Sequence, residues 1–134
     1  MFKHETQVIK FLLQWYSVNA RNLPWRKKNL NLPDPYFVFV SEYMLQQTTV
    51  NTVKNKFNDF ILKWPSLNKL AQTSEPNILK FWSGLGYYSR ARNLLKSAKI
   101  IHKNFKNNIP KTYDELIQLP GIGDYTAKAI LGIG

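Results

Sequence analysis

The sequence predicts an all-α fold, and three observations carry that reading. Apolar residues recur three or four apart through most of its 134 residues. Residues that cap or break helices fall at the ends of those stripes. The one stretch with strand character, "YFVFV" at Tyr36–Val40, has no second convincing strand to pair with.

Within residues 1–20, Val8, Leu12, Trp15 and Val18 form a helical stripe. Residues 21–35 read as a basic loop, because "LPWRKKNLNLPDP" holds three prolines and cannot continue a helix. Asp34 before Pro35 is a helix start, so "YFVFVSEYMLQQ" reads as a buried helix rather than a strand. Val50, Val53, Phe57, Phe60 and Ile61 make the next stripe, which ends at Trp64-Pro65. A short helix is expected at about 66–72. Ser74 caps its successor, with Pro76 in the first turn and Ile78, Phe81, Trp82 and Leu85 inward. "GLG" at 84–86 stops it. Tyr88, Ala91, Leu94, Leu95, Ala98 and Ile101 form the longest stripe, opposite Arg92, Lys96, Lys99 and Lys103. Thr112 and Glu115 make a capping box for a short helix ending at Leu119. "LPGIGDYTAKAILGIG" closes the chain, giving seven or eight helices in one domain.

The charge narrows the partner. Nineteen Lys and Arg against eight Asp and Glu give +11, a field that favours a polyanion. Nucleic acid stands ahead of membrane, since there is no basic amphipathic anchor and no apolar run near the roughly 20 residues that span a bilayer. A merely solvated lysine-rich surface is the alternative. The N-terminus does not read as a signal peptide, so cytoplasm is the default compartment, nucleoid-associated in a bacterium. With no cysteine, the chain itself can hold no disulfide, thiolate-bound zinc or iron–sulfur cluster, and no metal site is expected.

Residues 113–132 read as a helix–hairpin–helix. Gly121, Ile122 and Gly123 make the turn, with backbone N–H groups at the second helix's start facing outward. Such a nest, with the helix dipole behind it, can hold a DNA phosphate. A plain interhelical turn is the alternative.

One acid stands apart from the others. Asp34, Glu75, Asp114, Glu115 and Asp124 fall near helix starts, where negative charge suits the dipole, and Glu5 and Asp59 look like surface acids. Only Glu42, in "SEYMLQQT", lies inside an apolar helix. Burial there would raise its pKa and make it a proton donor at neutral pH. An exposed edge or a pairing with Arg26 is the alternative.

The segments "LPWR", "SEYMLQQT", "GLGYYSRARNL" and "LPGIGDYTAKAIL", in that order, resemble adenine DNA glycosylases of the MutY type, within the helix–hairpin–helix base-excision superfamily. The resemblance runs from Val8 to Leu131. It implies a single partial glycosylase domain over 1–134, whose six-helix barrel runs over 36–134 and is cut short at its C-terminal side, acting as a monomer on double-stranded DNA. It implies hydrolysis of the N-glycosidic bond of adenine opposite 8-oxoguanine or guanine after base flipping. Glu42 would protonate the base and Tyr125 would support the reaction. Leu23, Trp25, Arg26 and Val50 would line the adenine pocket. Gln47, Thr48, Leu85 and Tyr87 would face the DNA, with Gln47 and Tyr87 wedging into the stack. For Leu85 and Tyr87 core packing stays open. Arg90 and Arg92 would contact phosphates, or else form a solvated face.

Members of that family also carry a second catalytic Asp in a "DGN" motif, four cysteines for a 4Fe-4S cluster and a C-terminal domain. None of these occurs in this sequence, so slow or absent adenine excision by the chain alone is expected. The enzymatic rival is an endonuclease III-like glycosylase/lyase. It needs a lysine nucleophile one residue before "TA", where this chain has Tyr125. A non-catalytic DNA-binding fragment is the reading from another class.

Overall fold

Asp34 opens a helix as its position demands, its carboxylate accepting from the Tyr36 N–H at 2.9 Å with Pro35 in the first turn. In the computed structural model, which describes residues 34–46 and 48–132, this is α1, Pro35–Leu45. The strand-like run is therefore helical, and no strand occurs among the described residues. β-branched and aromatic side chains raise strand propensity, but the cap and an all-round apolar environment outweigh it. Tyr36 and Val38 through Leu45 are all buried, so α1 has no solvent face.

The later helices begin on the same chemistry. Thr49, Ser66, Ser74 and Thr112 each cap one, accepting from a backbone N–H three residues on. They open α2 (Val50–Lys63), α3 (Leu67–Ala71), α4 (Glu75–Trp82) and α6 (Tyr113–Leu116). Between the last two lies α5 (Tyr88–Asn104), and α7 (Asp124–Leu131) ends the described chain. One half of the expected capping box is present, Thr112 Oγ1 accepting from the Glu115 N–H, while the Glu115 carboxylate accepts from the Thr112 hydroxyl at 2.8 Å. This helix ends at Leu116 rather than Leu119. Leu119 precedes Pro120, which disfavours helical backbone there, and turns carry the chain on. Leu85 likewise lies beyond the end of α4, in the loop.

Helix α1 is central, packing on α2, α5 and α7, while α5 also covers α3 and α4. Phe39, Tyr43, Met44, Phe57, Phe60, Trp82, Leu94 and Ile101 fill the space between them. This arrangement puts Glu42 on the innermost helix, against the hairpin. The segment 1–20, the basic loop up to Pro33, and Gln47 lie outside the described residues.

Candidate active site and nucleic-acid interface

Glu42 is only 7% exposed. Positions 38, 39, 45 and 46 share its helix face, so its nearest turns present Val38, Phe39 and Leu45. Removing a carboxylate from water without a compensating charge disfavours ionisation, and burial pushes Glu42 up to about 7. The ion pairs among the described residues, Arg92–Glu75 and Lys128–Asp124, do not involve Glu42. Arg26, the suggested partner, lies outside the described residues. A carboxyl that keeps its proton in about half the molecules near neutrality can donate it.

Two neighbours of Glu42 fasten its helix to the hairpin. The Tyr43 hydroxyl donates to the Pro120 carbonyl at 2.6 Å and bonds Ser97 Oγ at 2.7 Å. Ser97 reaches the same carbonyl at 3.1 Å. Burial raises the Tyr43 pKa, so the phenol keeps the proton it donates. One turn on from Glu42, the Gln46 amide donates to the Gly121 carbonyl at 3.2 Å and to Thr126 Oγ1 at 3.3 Å. The sequence reading missed both anchors. The four-residue spacing of Glu42 and Gln46, and a phenol inside an apolar helix, were the available signals.

The hairpin has the conformation its glycines allow. Gly121 takes φ +81°, and a Cβ there would meet Asn93 Cβ at 2.9 Å. Ile122 is buried and pins the turn to the core. Gly123 has φ −100°, open to any residue, and a Cβ there would meet nothing within 4 Å. Turn geometry therefore requires only the first glycine. The second leaves the start of α7 unobstructed, and no side chain caps that end. Asp124, whose charge is favoured by the Tyr113 hydroxyl at 2.7 Å and by Lys128, ties α6 to α7. Tyr125 is half-buried beside Thr126 at the start of α7.

The remaining candidates divide. Thr48 is half-buried in the turn after α1, and Val50 packs on the core from the first position of α2. Tyr87 is 60% exposed and stands in the left-handed region with φ 49°. Leu85 is buried in the core, so packing is its observed role. Arg92 is exposed and paired with Glu75 at 3.4 Å. Arg90 corrects the expectation of a phosphate contact or a solvated face: it is 4% exposed, and its guanidinium bonds protein oxygens. Leu23, Trp25, Arg26 and Gln47 lie outside the described residues. No group of three or more His, Asp or Glu that could hold a metal occurs among those described. The chain offers no thiolate to an iron–sulfur cluster.

Residues 40–131 match the HhH-GPD superfamily of base excision DNA repair proteins, and the chain belongs to that family. Within it, the chain is 48% identical to an adenine DNA glycosylase of Buchnera aphidicola from Schizaphis graminum, over 92% of this chain and 35% of that protein. It is 42% identical to the human adenine DNA glycosylase, over 99% of this chain and 26% of that one. It thus spans about a third or less of the length of these relatives. A thermostable thymine-DNA glycosylase has the same fold, with a TM-score of 0.74 at 25% identity, covering 98% of this chain and 59% of that one. An endonuclease III–DNA complex matches at TM-score 0.70 and 19% identity, over 96% and 58% of the two chains, which is a likeness of fold alone.

Proposed function

We propose that this chain carries the base-binding, proton-donating part of an adenine DNA glycosylase acting on adenine opposite 8-oxoguanine or guanine in duplex DNA. The observation that carries the reading is Glu42, a buried carboxyl held up to about 7 on the helix that bonds to the hairpin. Relatives bearing that name at 42–48% identity support the choice of adenine.

The base must leave the stack before any side chain can reach it. The Glu42 carboxyl then donates its proton to adenine N7. The electron pair of the C1′–N9 bond passes to the base, which departs neutral and leaves an oxocarbenium-like sugar. Water adds at C1′ and loses a proton, giving an abasic site. An ionised carboxylate would stabilise that cation, and the resemblance assigns it to a DGN motif this sequence does not contain. Tyr125 flanks the hairpin side of the pocket, and the uncapped start of α7 holds a phosphate without reading sequence.

The test is single-turnover release of free adenine from an A:8-oxoguanine duplex by excess protein, measured against duplex alone. Release should fall on Glu42→Gln. Release untouched by that change would dismiss Glu42 as the acid, and a borohydride-trapped covalent adduct would transfer the protein to the lyase class.

A further inference from the structure

We propose that Arg90 is a positioning residue that ties the turn after α1 to the loop before α5, so that the two segments offered to DNA are set as one unit. The inference rests on the glycosylase reading above. Arg90 Nη1 lies 2.6 Å from the Met44 carbonyl, 2.5 Å from that of Gln46 and 2.7 Å from Thr48 Oγ1. Its Nη2 donates to the Leu85 and Gly86 carbonyls at 3.0 and 3.1 Å. One planar group thereby joins Met44, Gln46 and Thr48 to Leu85 and Gly86.

A buried cation is costly unless its donors find partners, and here oxygens from both segments take up Nη1 and Nη2, leaving Nε without one. Burial lowers the Arg90 pKa to about 10, so the group stays charged at neutral pH. It also lies 5.3 Å from the centre of the Trp82 ring and 5.6 Å from that of Tyr87. Tyr87 follows Gly86, itself at φ +73°, and takes a left-handed backbone that a non-glycine residue holds only when its surroundings impose it. Its ring still projects into solvent. The brace thus fixes the base of an exposed aromatic residue and the turn bearing Thr48 at a set separation. Lysine has the charge but lacks the planar fork that spans both segments.

The test uses Arg90→Lys and Thr48→Val, with three readouts. These are thermal unfolding, affinity for an undamaged duplex, and the fluorescence of 2-aminopurine placed beside the adenine of an A:8-oxoguanine pair, which rises when the neighbouring base leaves the stack. R90K should keep its affinity for undamaged duplex while its unstacked population drops by about tenfold, as expected for lost charged hydrogen bonds. T48V should lower the signal less, and the double variant should be no worse than R90K, because both remove parts of one brace.

A full fluorescence rise in R90K would overturn the proposal. So would a loss of melting temperature accompanied by equal weakening on damaged and undamaged duplex, which marks a purely structural arginine. If R90K does not fold, an unchanged signal in T48V overturns it instead. No rise with the unaltered protein would refute the glycosylase reading itself, and this inference with it.

Discussion

The Tyr43 hydroxyl and the Pro120 carbonyl oxygen meet at 2.6 Å across 77 residues of chain. The bond joins the residue next to the candidate acid to the first residue of the hairpin turn. A hairpin seated on a phosphate and an acid aimed at a base must keep a fixed relation, and this bond is the shortest link between their two elements. Tyr43→Phe should cost about 1–3 kcal/mol, since it strips a partner from buried polar groups. The lower end is expected, because Ser97 still reaches the Pro120 carbonyl at 3.1 Å. Urea unfolding measures the loss, and amide exchange in residues 121–124 should quicken more than in α3.

Glu42 makes stability depend on pH in a definite direction. Its folded pKa, about 7, lies above the ordinary 4.5, so between those values the folded state holds the extra proton. Stability from this group is complete below pH 4.5, falls through that window, and is lost above about 7. The full difference is about 3 kcal/mol. Glu42→Gln should therefore unfold at a higher temperature than the unaltered protein at pH 8, and at nearly the same temperature at pH 4.5. Equal melting of the two at pH 8 would mean the carboxylate is solvated.

The same proton should govern rate. Adenine release should decline as pH rises past about 7, tenfold per unit once the acid is mostly ionised. Glu42→Gln should lower the rate by about 10²–10⁴, the span typical of general acid catalysis. A rate flat from pH 6 to 9 would separate the carboxyl from the chemistry.

The two hairpin glycines should fail differently when changed to alanine. Gly121→Ala meets both a positive φ and Asn93 at 2.9 Å, so stability should fall by more than about 1 kcal/mol. Gly123→Ala has room and an ordinary φ, so melting should stay put, while duplex affinity should weaken if the proposed phosphate contact is made there, because the methyl group would stand in its way. A Gly123→Ala protein with undiminished affinity would remove the phosphate role of this turn.

Duplex affinity should fall steeply with salt, since +11 of net charge must displace condensed counterions. A titration between 50 and 200 mM salt, on the order of 10³ in affinity for six or more phosphate contacts, checks this. Binding indifferent to salt would remove the nucleic-acid reading altogether.

Local chemistry made the helices legible. Asp34-Pro35, Ser66, Ser74 and the Thr112/Glu115 pair mark helix starts within a few residues, and each operates where it stands. The burial of Glu42 was legible because Val38, Phe39 and Leu45 share its helix face, which spacing alone reveals. Arg90 was not. A lone arginine on a helix with polar companions reads as solvated, and most of its partners are main-chain carbonyls, those of Met44 and Gln46 lying 46 and 44 residues before it and those of Leu85 and Gly86 in the loop before its own helix. Such partners carry no side-chain signature. For the same reason Gln46 gave no sign in the sequence of its bonds to Gly121 and Thr126, which only the third dimension brings together.

Most of what Arg90 grips is backbone, which every residue possesses. Relatives could exchange the side chains at 44 and 85 without loosening that grip, provided the packing volume is kept. The arginine and its hydroxyl-bearing partner at 48 have no such latitude. Drift in this region should thus be lopsided: an immobile pair surrounded by positions free to wander.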